Sequence, residues 1–118
     1  MSAPGEDFRN YLTEWAESQP RVRRLWIFGS RAQGNARPDS DLDLAVEIEP
    51  VADSEETLPY WMTCSERWQS ELQRRSEHPV DLDWFDPDGS TPRVARAIRE
   101  GSILLYDRAA EWPGASAA

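Results

Sequence analysis

Hydrophobic residues near the start of the chain follow two different spacings, which predict a helix and then a strand. Between residues 6 and 18 they fall at i, i+3, i+4 and i+7, the pattern of an amphipathic helix: Phe8, Tyr11, Leu12 and Trp15. Pro20 ends this helix. The run 22–28 contains an apolar segment of strand-forming residues and stops at Gly29, so we expect a largely buried strand. Residues 30–33 are expected to form a short helical turn.

From Asp41 to Ile48, apolar and polar residues alternate, which predicts a strand with two unlike faces. One face carries Leu42, Leu44, Val46 and Ile48, and the other carries Asp41, Asp43, Ala45 and Glu47. A second long helix is predicted over about 54–76, with an apolar stripe formed by Leu58, Trp61, Met62, Trp68 and Leu72. Cys64 is expected to be a small apolar filler on that helix.

Shorter elements complete the chain. Residues 79–85 predict a strand, and 86–89 predict a turn. Ser90 or Thr91 is expected to cap a helix that has Pro92 at its first position and ends at Gly101. A last strand is predicted over 103–106. This order predicts an α/β (α+β) fold with a small mixed sheet of about four strands covered by helices.

Composition limits the class of protein. The chain has 118 residues, of which 39% are hydrophobic and 30% charged, so we expect one globular domain over 1–112 and a flexible tail over 113–118. No apolar run is long enough to span a bilayer, and residues 1–7 do not resemble a signal peptide. A cytoplasmic location is therefore predicted. The single cysteine, Cys64, excludes an internal disulfide and a cysteine metal cluster.

The charge of the chain excludes several kinds of chemistry. The net charge is −9, which argues against general nucleic-acid binding and fits a small-molecule substrate carried with metal, or a basic protein partner. All 13 basic residues are arginines. Because there is no lysine, a Walker-type phosphate loop and a lysine Schiff base are both excluded.

Three acidic residues predict a metal site. Asp41 and Asp43 leave the same face of their strand, and two close carboxylates repel each other unless a cation lies between them. Asp81 reaches the same face if its strand is the neighbour. Carboxylate and phosphate oxygens suit Mg²⁺, and two such ions would hold the attacking and leaving oxygens of a phosphoryl or nucleotidyl transfer. Asp83 lies on the same face as Asp81.

A Gly29-Ser30 turn after the first predicted strand provides a second half of that site. Glycine lets the backbone approach a phosphate closely, and Ser30 adds a hydroxyl donor. Arg31 either adds positive charge near a triphosphate or points to solvent. Ten residues separate Ser30 from Asp41.

This layout resembles a known family. Gly29-Ser30, ten residues and Asp41-Leu42-Asp43 resemble the signature of the DNA polymerase beta-like nucleotidyltransferase superfamily, and the fuller strings 28–34 and 40–46 resemble its minimal (MNT) branch. Val80-Asp81-Leu82 is similar to the family's third-carboxylate strand, and 98–106 to its closing helix, glycine and strand. The resemblance covers roughly residues 22–106.

The resemblance implies the nucleotidyltransferase fold and transfer of AMP from ATP, the substrate, to a hydroxyl, with release of pyrophosphate. It implies that Asp41 and Asp43 hold two Mg²⁺ ions, and that Asp81 binds the catalytic metal and accepts the hydroxyl proton. Gly29 and Ser30 would hold the triphosphate, with Arg31 beside them. Asp83 either supports or replaces Asp81. Asp81 is the favoured residue, because Asp81 directly follows Val80 as in the family pattern.

The resemblance also implies a partner. Stand-alone MNT proteins commonly pair with a HEPN-type toxin as its antitoxin, some by adenylylating a toxin tyrosine, and the −9 charge suits a basic toxin. One alternative is an MNT-fold antitoxin that acts by binding alone, with idle carboxylates. Another is transfer to a small molecule such as an aminoglycoside, although the chain is too short for an acceptor domain unless a dimer builds the pocket. Homo- and hetero-oligomers are both compatible with the sequence.

The remaining distinctive residues are expected to have structural roles. His78 is interpreted as a loop residue, and Trp84 as a core residue because it points away from Asp81 and Asp83. The arginine cluster at 21, 23 and 24 is expected to be a solvated edge, and the arginines at 93, 96 and 99 a solvated helix face. Packing roles in the core or against helices are expected for Trp15, Trp26, Trp61 and Trp68.

Overall fold

The computed structural model describes residues 6–34, 37, 40–49, 57–87 and 89–108. Their elements, in chain order, are α1 (Glu6–Ser18), β1 (Val22–Phe28), α2 (Ser30–Gln33), β2 (Leu42–Ile48), α3 (Thr57–Gln73), β3 (Val80–Phe85), α4 (Pro92–Glu100) and β4 (Ser102–Asp107). The strands form one sheet in the order β3-β2-β1-β4, in which β1 is antiparallel to β2 and β4, and β2 is parallel to β3. The predicted small mixed sheet is confirmed. Residues 113–118, the predicted tail, lie outside the described residues.

One face of the sheet carries the hydrophobic core, as the alternation along β2 predicts. Leu42, Leu44, Val46 and Ile48 are all buried there, together with Leu12 of α1 and Trp68 of α3. The rings of Trp15 and Trp68 meet edge to face, with centroids 5.6 Å apart. Burial of each large side chain of this kind stabilises the fold by roughly 1.5–3 kcal/mol, so α1 and α3 are held on this face.

The predicted stripe on α3 is wrong in part. Trp68 and Leu72 are buried, but Leu58 and Met62 are 49% and 69% exposed. Four residues that pack with the core on this helix are spaced by four: Tyr60, Cys64, Trp68 and Leu72. Trp61 of the predicted stripe is partly buried and also packs against the core. Leu58 and Met62 precede this series by two positions, about 200° around the helix, and therefore point away from the sheet. The helix is also shorter than the predicted 54–76, of which residues 54–56 are outside the described part.

The second face of the sheet is only partly solvated. Ala45 and Glu47 are both buried, although they alternate with the core residues of β2. Arg24 donates to Glu47 at 2.8 Å and lies 3.2 Å from Asp107, and Arg23 lies 3.7 Å from Glu47. A register shift between Val22 and Arg24 interrupts the alternation, so both arginines reach one carboxylate. The prediction of a solvated arginine edge is therefore wrong for this pair.

Aromatic residues divide between the two faces. Trp84 packs against the core cluster, as predicted, but Trp26 pairs edge to face with Phe85 at 5.2 Å, on the second face.

Thr91 occupies the cap position of α4 without a side-chain capping bond, because its hydroxyl accepts a hydrogen bond from the N–H of Asp86 at 2.8 Å. None of the helices in the described ranges has the length and apolar character to cross a membrane.

Candidate active site

The glycine of the predicted phosphate turn touches the acidic strand. Gly29 follows β1 with φ 73° and ψ −155°, a conformation that essentially only glycine adopts without strain. Phe28, the residue before it, is paired with Asp43 of β2. A Cβ built on Gly29 would collide with Oδ2 of Asp43 and lie 3.3 Å from its Cγ. The turn and the carboxylate are therefore in direct van der Waals contact, which a side chain at position 29 would prevent.

The strand register brings the predicted carboxylates together. Asp43 of β2 is the direct partner of Asp81 on the parallel neighbour β3, and Ala45 is the partner of Asp83. Since side chains alternate along a strand, Asp43, Asp81 and Asp83 share the face opposite the core. Asp41, which directly precedes β2, is exposed. The condition set by the sequence, that the two acidic strands must be neighbours, is met.

Burial and mutual repulsion act on these carboxylates. The pKa of Asp43 is raised by burial and then by the negative charges of Asp81 and Asp41, against the opposing charge of Arg31. The pKa of Asp83 is raised to about 6, mainly by burial and further by Asp81 and Asp43, against the opposing charge of Arg93. The four carboxylates therefore lie in one negative field, which a cation bound between them would relieve.

The donor set fits a hard cation whose shell is completed by a substrate. Within the described ranges, no three acidic, histidine or cysteine side chains form a preassembled metal-binding group. Mg²⁺ commonly binds through one or two carboxylates together with substrate phosphates and water, and it prefers oxygen ligands. Carboxylates that share one face and repel each other, beside a glycine turn, match that mode of binding.

The turn itself is a compact unit. The N–H groups of Ala32 and Gln33 both donate to the carbonyl of Gly29 at 3.1 Å, and Gly34 closes α2 with φ 82° while its N–H donates to the carbonyl of Ser30. Ser30 is half-buried at the first position of α2. Ser30 thus directly follows Gly29, the residue that contacts Asp43.

Arg31 does not point to solvent, which was one of its two predicted orientations. Its side chain is buried, with 5% of the residue exposed. The guanidinium donates to the carbonyl of Ser40 from Nη2 at 2.7 Å and from Nε at 3.2 Å. Arg31 therefore contacts the residue that directly precedes Asp41.

Arg93 is a site neighbour that the sequence analysis missed. It was assigned with Arg96 and Arg99 to a solvated face, and all three are exposed. The charge of Arg93 nevertheless lowers the pKa of Asp83, which burial and its acidic neighbours raise. The available signal was its place in the first turn of α4, the helix that follows β3 and contacts it. A groove of about 780 Å³, lined in part by Trp61, Gln69 and Leu82, lies on the other side of β3.

Comparisons with known proteins identify the family and the fold of this chain. Residues 10–111 match the family described as polymerase beta, nucleotidyltransferase. No curated protein gave a match. A solved toxin–antitoxin structure with AMP-PNP is 20% identical, with 84% of this chain and 73% of that chain covered and a TM-score of 0.56.

Two further solved structures share the fold. One is an MNT antitoxin complex with the tri-AMPylated HEPN toxin of Shewanella oneidensis, at 17% identity, with 91% and 73% of the two chains covered and a TM-score of 0.53. The other is a proposed nucleotidyltransferase from Sulfolobus solfataricus, at 21% identity, with 85% and 77% covered and a TM-score of 0.51.

Proposed function

The chain belongs to the polymerase beta nucleotidyltransferase family and is an enzyme of the nucleotidyltransferase type, and we propose that it transfers AMP from ATP to a protein hydroxyl. In this proposal Gly29 and Ser30 hold the triphosphate. Asp41, Asp43 and Asp81 hold two Mg²⁺ ions, which supply positive charge that offsets the negative charge developing on the phosphate oxygens.

The observation that carries the proposal is the contact between Gly29 and Asp43, with Asp81 as the strand partner of Asp43. A Gly-Ser turn after a strand and a pair of carboxylates are far more informative together than apart. An acidic pair alone is common on solvated strands, and a Gly-Ser turn alone is commoner still. Their direct contact supports a site in which a triphosphate and its counter-ions would bind at one point, as nucleotidyl transfer requires.

The reaction requires a nucleophile from another molecule. The oxygen of the acceptor hydroxyl bonds to the α-phosphorus, the bond from that phosphorus to the bridging oxygen breaks, and pyrophosphate leaves with the bonding electrons. The hydroxyl proton passes to a carboxylate of this chain. Asp81 is exposed on β3 and paired with Asp43, so it is the favoured acceptor of that proton. Asp83, half-buried with a pKa of about 6, is the alternative.

We further propose that the acceptor is a tyrosine of a HEPN-type toxin and that the chain is its antitoxin, acting in the cytoplasm. The support is the shared fold with an MNT antitoxin in complex with an AMPylated HEPN toxin. The net charge of −9 would attract a basic partner and speed its association.

Two double variants test whether catalysis or binding alone neutralises the toxin. Asp41→Ala with Asp43→Ala removes two carboxylates of the site. Glu14→Ala with Glu17→Ala removes two exposed carboxylates of α1 and is the control with the same change of net charge. Each protein is mixed with the HEPN-type toxin, ATP and Mg²⁺, and toxin activity and intact mass are measured.

We expect AMP on the toxin and neutralisation with wild type and the Glu14/Glu17 control, and neither with the Asp41/Asp43 variant. Full neutralisation by the Asp41/Asp43 variant without any gain in mass would show that binding alone is the mechanism. Absence of both complex and modified tyrosine with wild type would reject the toxin as partner.

A further inference from the structure

Arg31 directly follows the phosphate turn, but its side chain is directed away from solvent. Only 5% of the residue is exposed. Nη2 donates to the carbonyl of Ser40 at 2.7 Å and to that of Arg37 at 3.4 Å, and Nε donates to Ser40 at 3.2 Å. One side chain thus contacts two backbone carbonyls on the far side of the loop that joins α2 to β2.

These carbonyls belong to a turn that is already closed. The N–H of Ser40 donates to the carbonyl of Arg37 at 3.0 Å, and the N–H of Arg37 donates to the Ser40 hydroxyl at 2.8 Å. The next residue is Asp41, and the N–H of Leu42 is bonded to the carbonyl of Pro79 at 2.8 Å, beside β3. Arg31 therefore acts on the backbone at the point where the acidic strand begins.

Burying a guanidinium is costly unless acceptors replace its water. Here the carbonyls provide these acceptors. The positive charge of Arg31 is also close enough to Asp43 to oppose the rise in the pKa of that carboxyl. The side chain is thus oriented by groups of the protein itself. A side chain bonded to the protein in this way keeps the backbone before Asp41 rigid. A side chain that binds a phosphate would instead point to the sheet face that carries the carboxylates.

We propose that Arg31 is a positioning residue, which holds Asp41 and Asp43 in place against the Gly29–Ser30 turn, and does not bind the nucleotide phosphates directly. The inference rests on the proposed function, because it assigns a role within the same site. Loss of Arg31 should displace the carboxylates even when no nucleotide is bound, whereas loss of a phosphate ligand should not.

Hydrogen exchange without nucleotide tests this difference. We compare Arg31→Gln, which removes the charge and most donors, with Arg31→Lys, which keeps the charge and can serve one carbonyl at a time. Arg96→Gln removes an exposed arginine of α4 and is the matched control. In Arg31→Gln, the amides of Ser40 and Leu42 should exchange at least about tenfold faster, as expected when hydrogen bonds to a charged group are lost. Arg31→Lys should recover part of the protection, and Arg96→Gln should match wild type.

Steady-state transfer of AMP gives a second readout. A positioning role predicts that Arg31→Gln lowers kcat on the order of 10²-fold, as for a misplaced catalytic group, while KM for ATP changes less than about threefold. Unchanged exchange at Ser40 and Leu42, with a raised KM and normal kcat, would overturn the inference and make Arg31 a phosphate ligand. If wild type transfers no AMP at all, the proposed function fails, but the exchange result still decides whether Arg31 holds this turn.

Discussion

Gly29 is the residue at which the two halves of the site meet. Its positive φ and its contact with Asp43 are two separate reasons for glycine at this position. Gly34 has a similar positive φ, but no atom lies within 4 Å of the place where its Cβ would be. Gly34 therefore serves as a reference glycine with positive φ and no close approach, while the ψ of −155° at Gly29 adds backbone strain of its own.

We predict that Gly29→Ala destabilises the protein more than Gly34→Ala and weakens nucleotide binding. An alanine costs about 1 kcal/mol in the left-handed conformation of Gly34 and about 1–3 kcal/mol in that of Gly29, which essentially only glycine adopts. Only Gly29→Ala must also displace the Asp43 carboxylate, which should cost about 1–3 kcal/mol more. Urea unfolding and titration with a non-hydrolysable ATP analogue measure the two effects. Equal losses for both variants would contradict the close approach of Gly29 to Asp43.

Asp83 makes a pH-dependent contribution whose sign can be derived. Its pKa in the folded protein, about 6, lies above the ordinary 3.8. Between these values the folded state binds more protons than the unfolded state, so stability without divalent cations should fall as pH rises through this range. Asp83→Asn should flatten this slope and be more stable than wild type at pH 7. The measurement is urea unfolding in chelating buffer across pH 4–7.

The control for Asp83 is Glu66→Gln, which removes one exposed carboxylate of α3. This variant changes the net charge by the same amount as Asp83→Asn but keeps Asp83. The slope of its stability between pH 4 and 6 should therefore match that of wild type. If Asp83→Asn retains the wild-type slope, Asp83 is not the group that titrates there.

At the scale of elements, β2 shows what a sequence pattern reports and what it does not. The period-two alternation predicted the strand and its core face correctly, because it records directly which side chains meet the core. The burial of Glu47 was not predictable in this way, since its partners come from distant positions, Arg24 on β1 and, through Arg24, Asp107 on β4. Such long-range pairs exist only after the sheet has assembled.

The same distinction explains the other differences. Gly29, Asp43 and Asp81 could be placed together because two strand patterns and one turn define them, whereas their roles remain predictions. The direction of the Arg31 side chain depends on its hydrogen bonds to the carbonyls of Arg37 and Ser40, and the residue types along the loop do not specify these bonds. The face of α3 was misassigned because apolar residues occupy both sides of its first turns, and the sheet selects only one.

We predict that Glu47→Gln destabilises the sheet by about 2 kcal/mol, because it removes the buried partner of a partly exposed arginine. Glu47 is 1% exposed and bonded to Arg24 at 2.8 Å. Glu100→Gln breaks the pair with Arg96, whose side chains are 58% and 77% exposed, and should change stability by less than about 0.5 kcal/mol. Urea unfolding measures both, and a Glu47→Gln loss no larger than that of Glu100→Gln would contradict a structural role for this cluster.

At the scale of the whole molecule, the hydrophobic core and the candidate site lie on opposite faces of the sheet. α1 and α3 cover the core face, while the opposite face carries the carboxylates of β2 and β3 and the arginine–glutamate cluster. Asp83 is half-buried, but Asp81 is exposed on the edge strand β3, where a large acceptor can approach. This arrangement suits a protein substrate that brings its own hydroxyl to the site.

The most direct test of nucleotidyl transfer follows the two ends of ATP separately. The chain is incubated with Mg²⁺, the HEPN-type toxin and ATP labelled at either the α- or the γ-phosphorus. We predict that α-label becomes covalently bound to the toxin, that γ-label appears only in pyrophosphate, and that Asp43→Asn reduces α-label transfer on the order of 10²-fold or more. Transfer of γ-label to the toxin, or unchanged transfer of α-label by Asp43→Asn, would contradict the account.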